Sequence, residues 1–211
     1  MPTTPFNGPS SITGNGGAGI RVGSGDPLTT SNARVTLNAT VGSRTAHTIS
    51  GNAAGGIDVQ GPVGFDGGYG LVHSTTFLNN QRFGLRIAPA GPEPIRMRLW
   101  QDDFTRNGTT GLIFKRVSTV DTDLDLIGDL MFGLTDGGST NRVAAICFDN
   151  ATGGAWTQAA ESNRWSVPCP LPLTDAGFQA PVPSCAQPPA TYREILYTGP
   201  VAPISSVTPC R

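Results

Sequence analysis

The sequence predicts an all-β chain whose body, residues 11–165, is a single-stranded parallel β-helix, a β-solenoid of stacked strands and turns. Residues 1–10 read as an N-terminal extension and 166–211 as a disulfide-containing, Pro-rich C-terminal cap or tail. Three observations lead there: a composition rich in Gly and Pro and poor in charge, an Asn and Gly motif that recurs with fixed internal spacing, and an abrupt change of character near residue 166.

With 28 Gly and 18 Pro among 211 residues, 14% charged and 7% aromatic, the chain suits many short strands and turns better than long helices. Its length fits one elongated domain with a terminal segment better than two globular domains. The 14 basic and 15 acidic residues form no Lys or Arg run, so no stripe exists to neutralise a nucleic-acid backbone or grip an anionic membrane. No apolar stretch approaches the roughly 20 residues of a membrane span. Residues 1–11 are polar, without a charged and apolar leader. The body nevertheless has a secreted or cell-surface character, so the targeting segment is expected outside this chain.

The motif is an Asn with an apolar residue three positions before it and a Gly four positions after it, followed by an aliphatic residue. The first copy is Ile12, Asn15, Gly19, Ile20, Val22; the second is Ile49, Asn52, Gly56, Ile57, Val59. Phe77, Asn80, Gly84, Leu85, Ile87 form the third, and Phe104, Asn107, Gly111, Leu112, Phe114 the fourth. A fifth, degenerate copy is expected at Leu126, Asp129, Gly133, Leu134, ending in the polar Asp136, and a sixth at Cys147, Asn150, Gly154, Ala155. The Asn is expected to take the left-handed or bridging backbone of a tight turn and to bond the amide of the next coil, forming a ladder. The Gly provides room where a β-carbon would obstruct. After it, Ile20-Arg21-Val22 and Ile57-Asp58-Val59 alternate as a strand with one buried face. Insertions near 23–33, 61–70 and 88–93 are expected to bulge from the stack.

Asn-x-x-x-Gly-[Ile/Leu]-x-[Val/Ile/Phe], stepped by twenty-odd residues over about two-thirds of the chain, resembles the parallel β-helix repeat of the pectin-lyase-like superfamily. The resemblance implies a right-handed coil with three sheets, the handedness expected of parallel crossovers. It says little about activity, because that superfamily holds lyases, hydrolases, epimerases, tailspikes, adhesins and inert surface repeats. An antiparallel β-sandwich would also explain short strands, but not the fixed separation of Asn and Gly.

Ten of the prolines and Cys169, Cys185 and Cys210 fall after residue 166. With Cys147 they make four disulfide candidates, whose pairing the sequence leaves open; their spacing does not suit zinc. The segment would cover the last coil or, alternatively, serve as a flexible linker.

The residue four before each motif Asn reads Ser11, Thr48, Thr76, Asp103, Asp125. Stacked on adjacent coils, Asp103 and Asp125 would lie about 5 Å apart, a separation suited to a shared Ca²⁺ or to the paired acids of a retaining glycosidase. Lys115 and Arg116 are the accompanying basic candidates for a lyase-like site. The competing expectation is that these acids are solvated on an outer face. Asp102 and Asp103 resemble the paired acids of polygalacturonases, but no Gly-His-Gly or Arg-Ile-Lys partner follows. His47 and His73 are expected to be exposed strand or loop residues. Two positions after the motif Gly, a column Arg21, Asp58, Arg86, Ile113, Thr135, Trp156 is expected as an outward charge ladder. Exposed Ile113, with Trp100 and Trp156, would be a sugar-stacking platform or single apolar residues under loops.

The expected function is an extracellular structural, adhesive or self-assembling module at a cell or phage surface, with a glycan or further copies of itself as partners and no cofactor required. The alternative is a polysaccharide-active enzyme, a lyase or glycosidase, or a glycan-binding module, using the acidic patch and calcium.

Overall fold

The computed structural model describes residues 6–7, 9–23, 36–38, 47–61, 70–89, 95–117, 122–126, 130–132, 140–153, 158–159, 163–166, 178–186, 189, 191–199 and 203–206. These residues contain strands and turns and no helix.

Five strands form one sheet, in the order β1 (Phe6–Asn7), β4 (Thr36–Asn38), β7 (Gly70–His73), β10 (Ile95–Trp100), β13 (Thr122–Asp125). A second sheet holds β2 (Ser10–Thr13), β5 (His47–Ser50), β8 (Thr75–Leu78) and β11 (Asp103–Thr105). The third runs β3 (Ala18–Val22), β6 (Gly55–Val59), β9 (Phe83–Ile87), β12 (Thr110–Arg116), β14 (Ala144–Asn150), β17 (Arg193–Tyr197), β16 (Gln179–Pro181). A short pair joins β15 (Gln158–Ala159) to β18 (Ile204–Ser206). Every pairing is parallel. Through β12 each strand pairs with the one three further along the chain, so each successive trio lies over the last as a tier.

The tiers share one apolar interior because the strand alternation repeats in register. Ile12, Ile49, Phe77 and Phe104 stack across the second sheet. Ile20, Ile57, Leu85, Leu112, Ile146 and Ile195 do so across the third, where Val22, Val59, Ile87, Phe114, Phe148 and Tyr197 form the next inward column. Phe77, Phe104, Phe132 and Trp165 lie ring on ring at centroid separations of 4.8, 5.5 and 5.0 Å, and Phe178 meets Trp165 edge-on at 5.4 Å. Offset aromatic stacking adds to the burial of these large side chains. Ile57 is fully buried in this interior. Ile57→Val, which removes one methylene, is expected to lower the unfolding free energy by about 0.5–1.5 kcal/mol, read from the urea midpoint.

The fifth and sixth motif copies are not where the spacing puts them. Met131 bridges Asp103 on one side and Arg164 on the other, which places Leu130, Met131 and Phe132 in the second-sheet position of the fifth tier. The fifth Asn is Asn141, followed by Ala145, Ile146 and Phe148. Leu126 is buried beside β13, while Asp129, Gly133, Leu134 and Asp136 lie outside the described residues. Cys147 and Asn150, expected in a sixth turn, lie within β14, opposite Ile113 and Arg116. The intervening parts of the three expected insertions, together with Thr135, Gly154, Ala155, Trp156, Cys169 and Cys210, also fall outside the described residues.

The parallel sheet does not end at residue 165, since β17 adds to β14 and β16 adds beyond β17. A disulfide joins Cys147 to Cys185, whose Cα atoms are 5.8 Å apart. On the opposite side of the third sheet from the main core, Val143, Ala144, Cys147, Cys185 and Leu196 make a second apolar cluster, with Ile113, Ala180 and Val182 against it. Ile113 is therefore half-buried packing and not an open platform.

Candidate functional site

The most extended polar constellation is the Asn column. Nδ2 of Asn15 donates to Oδ1 of Asn52 at 2.9 Å; the same bond runs from Asn52 to Asn80 at 3.0 Å, from Asn80 to Asn107 at 3.0 Å and from Asn107 to Asn141 at 2.9 Å. Each acceptor oxygen also takes the backbone N–H of the preceding Asn. The second Nδ2 proton reaches back to a carbonyl: Asn80 to Ile49, Asn107 to Phe77, Asn141 to Phe104. Only an amide, with two donors and a two-lone-pair oxygen on one planar group, can serve all of these at once. The four inner members are buried, so an unmade bond there would be costly.

The left-handed backbone expected at each Asn belongs instead to the residue before it: Gly14 (φ 68°), Gly51 (φ 63°), Asn79 (φ 53°) and Arg106 (φ 56°). That frees the motif Asn to point inward. Ser74 (φ 56°) and Gln101 (φ 55°) turn the corner between the first and second sheets.

The expected acidic pair is not assembled. Asp103 lies in the second sheet, between Thr76 and Met131, whereas Asp125 lies in the first, in register with Arg98. Lys115 and Arg116 are in the third, opposite Asp149 and Asn150. The cause is the longer interval before Asn141, which puts Met131 where the repeat frame expected Asp125. Among the described residues, no group of three or more His, Cys, Asp or Glu side chains is placed to hold a metal ion.

The buried acid of the region is Asp102. Its Oδ1 accepts the Thr75 N–H at 2.9 Å and its Oδ2 the Trp100 N–H at 3.1 Å. Burial pushes this carboxyl well above the ordinary range, outweighing the two backbone donors that pull it down, and Asp103 adds to the rise. In the sixth tier Asn163 does the same work, accepting Leu130 N–H at 3.1 Å and donating to the Leu126 carbonyl at 3.4 Å. Asp102 is thus a corner fastener. His47 and His73, expected at the surface, are both buried. His73 stacks on Trp100 with centroids 4.7 Å apart and lies 3.2 Å, through Nε2, from Gln101 Oε1.

On the outer side of the third sheet, Arg21, Asp58 and Arg86 follow one another in register. Arg86 clamps Asp58 with Nε at 2.8 Å and Nη2 at 2.6 Å, Gln60 Nε2 adds a bond at 2.6 Å, and Arg21 stands 3.7 Å away. The column continues through Ile113, Cys147 and Leu196.

Glu194, in β17, occupies the tier position of the motif Gly, between Arg193 and Ile195, which pair with Ala144 and Ile146. It accepts the Ser166 N–H at 3.1 Å and the Tyr192 hydroxyl at 2.9 Å. Burial pushes its carboxyl up to about 7 despite those donors, and the Tyr192 phenol is held protonated far above its ordinary range. A carboxyl raised in the folded state binds a proton there that the unfolded chain has already released. Stability is therefore expected to fall as pH rises from about 4.5 to about 7 and to level off above, by on the order of 3 kcal/mol from Glu194. Asp102 acts in the same direction. Denaturant midpoints across that window check this, with Glu194→Gln expected to flatten the slope.

No helix among the described residues is long and apolar enough to cross a membrane. No protein-family model, curated protein or solved structure matches this chain.

Proposed function

We propose that the tiers are the coils of a right-handed parallel β-helix of the pectin-lyase-like kind, covered at its C-terminal end by the disulfide-linked Pro-rich segment. In this reading it acts as an extracellular structural, adhesive or self-assembling module at a cell or phage surface. The observation that carries the reading is the Asn column, in which one Asn from each of five tiers is bonded in an unbroken series, the three middle members to neighbours on both sides. Such a column fixes the register of a stack and leaves its outer faces free to vary. The Cys147–Cys185 bond suits an oxidising compartment. The test is incubation of the purified chain with insoluble acidic and neutral polysaccharides and cell-wall material. Retention on the solid, or sedimentation as an assembly, without new reducing or unsaturated ends is the expected result. Released ends that disappear in Asp103→Asn would replace this reading with the polysaccharide-active one.

A further inference from the structure

A cleft of about 170 Å³ opens on the outer side of the third sheet, away from the Asn column and the corner acids. Its floor is the outward face of β9, β12 and β14, which contributes Arg86, Ile113, Lys115 and Asp149. Arg82 and Thr109, from the turns entering β9 and β12, flank it, and Ser184 and Cys185 form the facing wall. That wall is held to the sheet by the disulfide to Cys147.

The charge in this cleft is opposite to that of the chain as a whole, whose formal net charge is -1. Three cations line it against one carboxylate, Asp149, and the balance stays positive when Asp58, behind Arg86, is counted. Arg86 is preorganised: Asp58 takes Nε and Nη2, and the Phe83 ring lies 4.8 Å from the guanidinium carbon. Its Nη1 remains to donate. Asp149 is engaged on its Oδ1 by the Thr198 hydroxyl at 3.0 Å. Among the described residues, the side chains of Arg82 and Lys115 make no ion pair or hydrogen bond. A fixed guanidinium edge, a second guanidinium and an ammonium, with the Ser184 hydroxyl nearby, match the acceptor-only oxygens of a tetrahedral anion.

The geometry points to this cleft as a binding site for a tetrahedral oxyanion, sulfate or phosphate, free or carried as an ester on a larger molecule. The cleft has room for one such group and bridging water. The inference is independent of the scaffold reading, since it needs only the cleft.

Calorimetric titration of the intact, oxidised protein at low ionic strength, with inorganic sulfate and separately with a sulfated disaccharide, tests it. Saturable sulfate binding with Kd on the order of 1 mM is expected. Lys115→Met and Arg82→Gln are each expected to weaken it by about tenfold. Arg164→Gln removes the same charge from an exposed position in the second-sheet position of the sixth tier, and should leave binding unchanged. Comparable affinity for the two ligands identifies a site for the free anion, whereas at least tenfold tighter disaccharide binding identifies the ester. Absence of saturation by tens of millimolar sulfate, or an equal loss in Arg164→Gln, overturns the assignment. Circular dichroism of each variant separates a lost site from a lost fold.

Discussion

Replacing Asn80 with alanine is expected to destabilise the protein by about 4–6 kcal/mol, far more than the loss of one hydrogen bond. The side chain stands in the middle of the column and serves both neighbours. Its Oδ1 accepts Asn52 N–H at 3.2 Å and Asn52 Nδ2 at 3.0 Å, and its Nδ2 donates to Asn107 Oδ1 at 3.0 Å and to the Ile49 carbonyl at 2.9 Å. Alanine leaves the Asn52 N–H and the Ile49 carbonyl buried without their partners, each worth about 1–3 kcal/mol, and adds a small void. Equilibrium unfolding in urea reads the change directly. Asn80→Asp sharpens the test because the shape is kept while an oxygen replaces the amide that faces two acceptors. Its loss at neutral pH should match or exceed that of alanine and shrink on acidification, when the carboxyl regains a proton to donate. Asn15→Ala, at the exposed end of the column, gives up only the bond to Asn52 and should cost at most about 1 kcal/mol. Equal costs at Asn15 and Asn80 would show that the column is not what fixes the register.

The first four tiers were legible because one short window carries their corner, strand and core residues together. Ile49, Asn52, Gly56 and Ile57 span nine residues, and all of them face the same interior. The fifth tier breaks that window. Nine residues separate Phe132 from Asn141, where three separate Phe104 from Asn107, and Ala145 stands in place of the Gly. Lengthening a surface connection costs little free energy, so a stack tolerates it while a spacing rule does not. The slip propagated to function: it moved Asp125 into the column of Asp103, although the register of β13 places it opposite Arg98. Burial was the other illegible quantity. Asp102 and Asp103 are adjacent and chemically identical, and only the corner between sheets makes the first a buried acceptor of two backbone donors. Glu194 belongs to a tier with no Asn motif, so nothing in its neighbourhood marks it as inward-facing.

Gly56→Ala is expected to cost about 4 kcal/mol, above the usual 1–3 kcal/mol of an overpacked core, because what the new methyl meets is backbone. A β-carbon there would stand 2.3 Å from the Gly84 carbonyl oxygen and 2.7 Å from Phe77 Cδ1. The oxygen belongs to the next strand of a parallel ladder, so it cannot retreat without pulling that ladder apart, and the ring is held in a stack with Phe104. The same contact runs up the column with growing room. Gly84 would meet the Gly111 oxygen at 2.7 Å and Gly111 the Ala145 oxygen at 2.8 Å, while the next member is already alanine and the one beyond it is Glu194. The expected order of cost is therefore Gly56→Ala, then Gly84→Ala, then Gly111→Ala. Gly16→Ala and Gly17→Ala, whose β-carbons would meet nothing within 4 Å, should stay within about 0.5 kcal/mol of the parent. Urea midpoints for these five variants decide the matter. A flat series would mean that the tiers can move apart at the third sheet, and with that freedom the Asn column, only a few residues earlier in each tier, would have to be stretching as well. The two series are coupled for this reason: a stack that resists alanine at Gly56 must also lose most when Asn80 is removed, since one contact sets the closest approach of the tiers and the other their register.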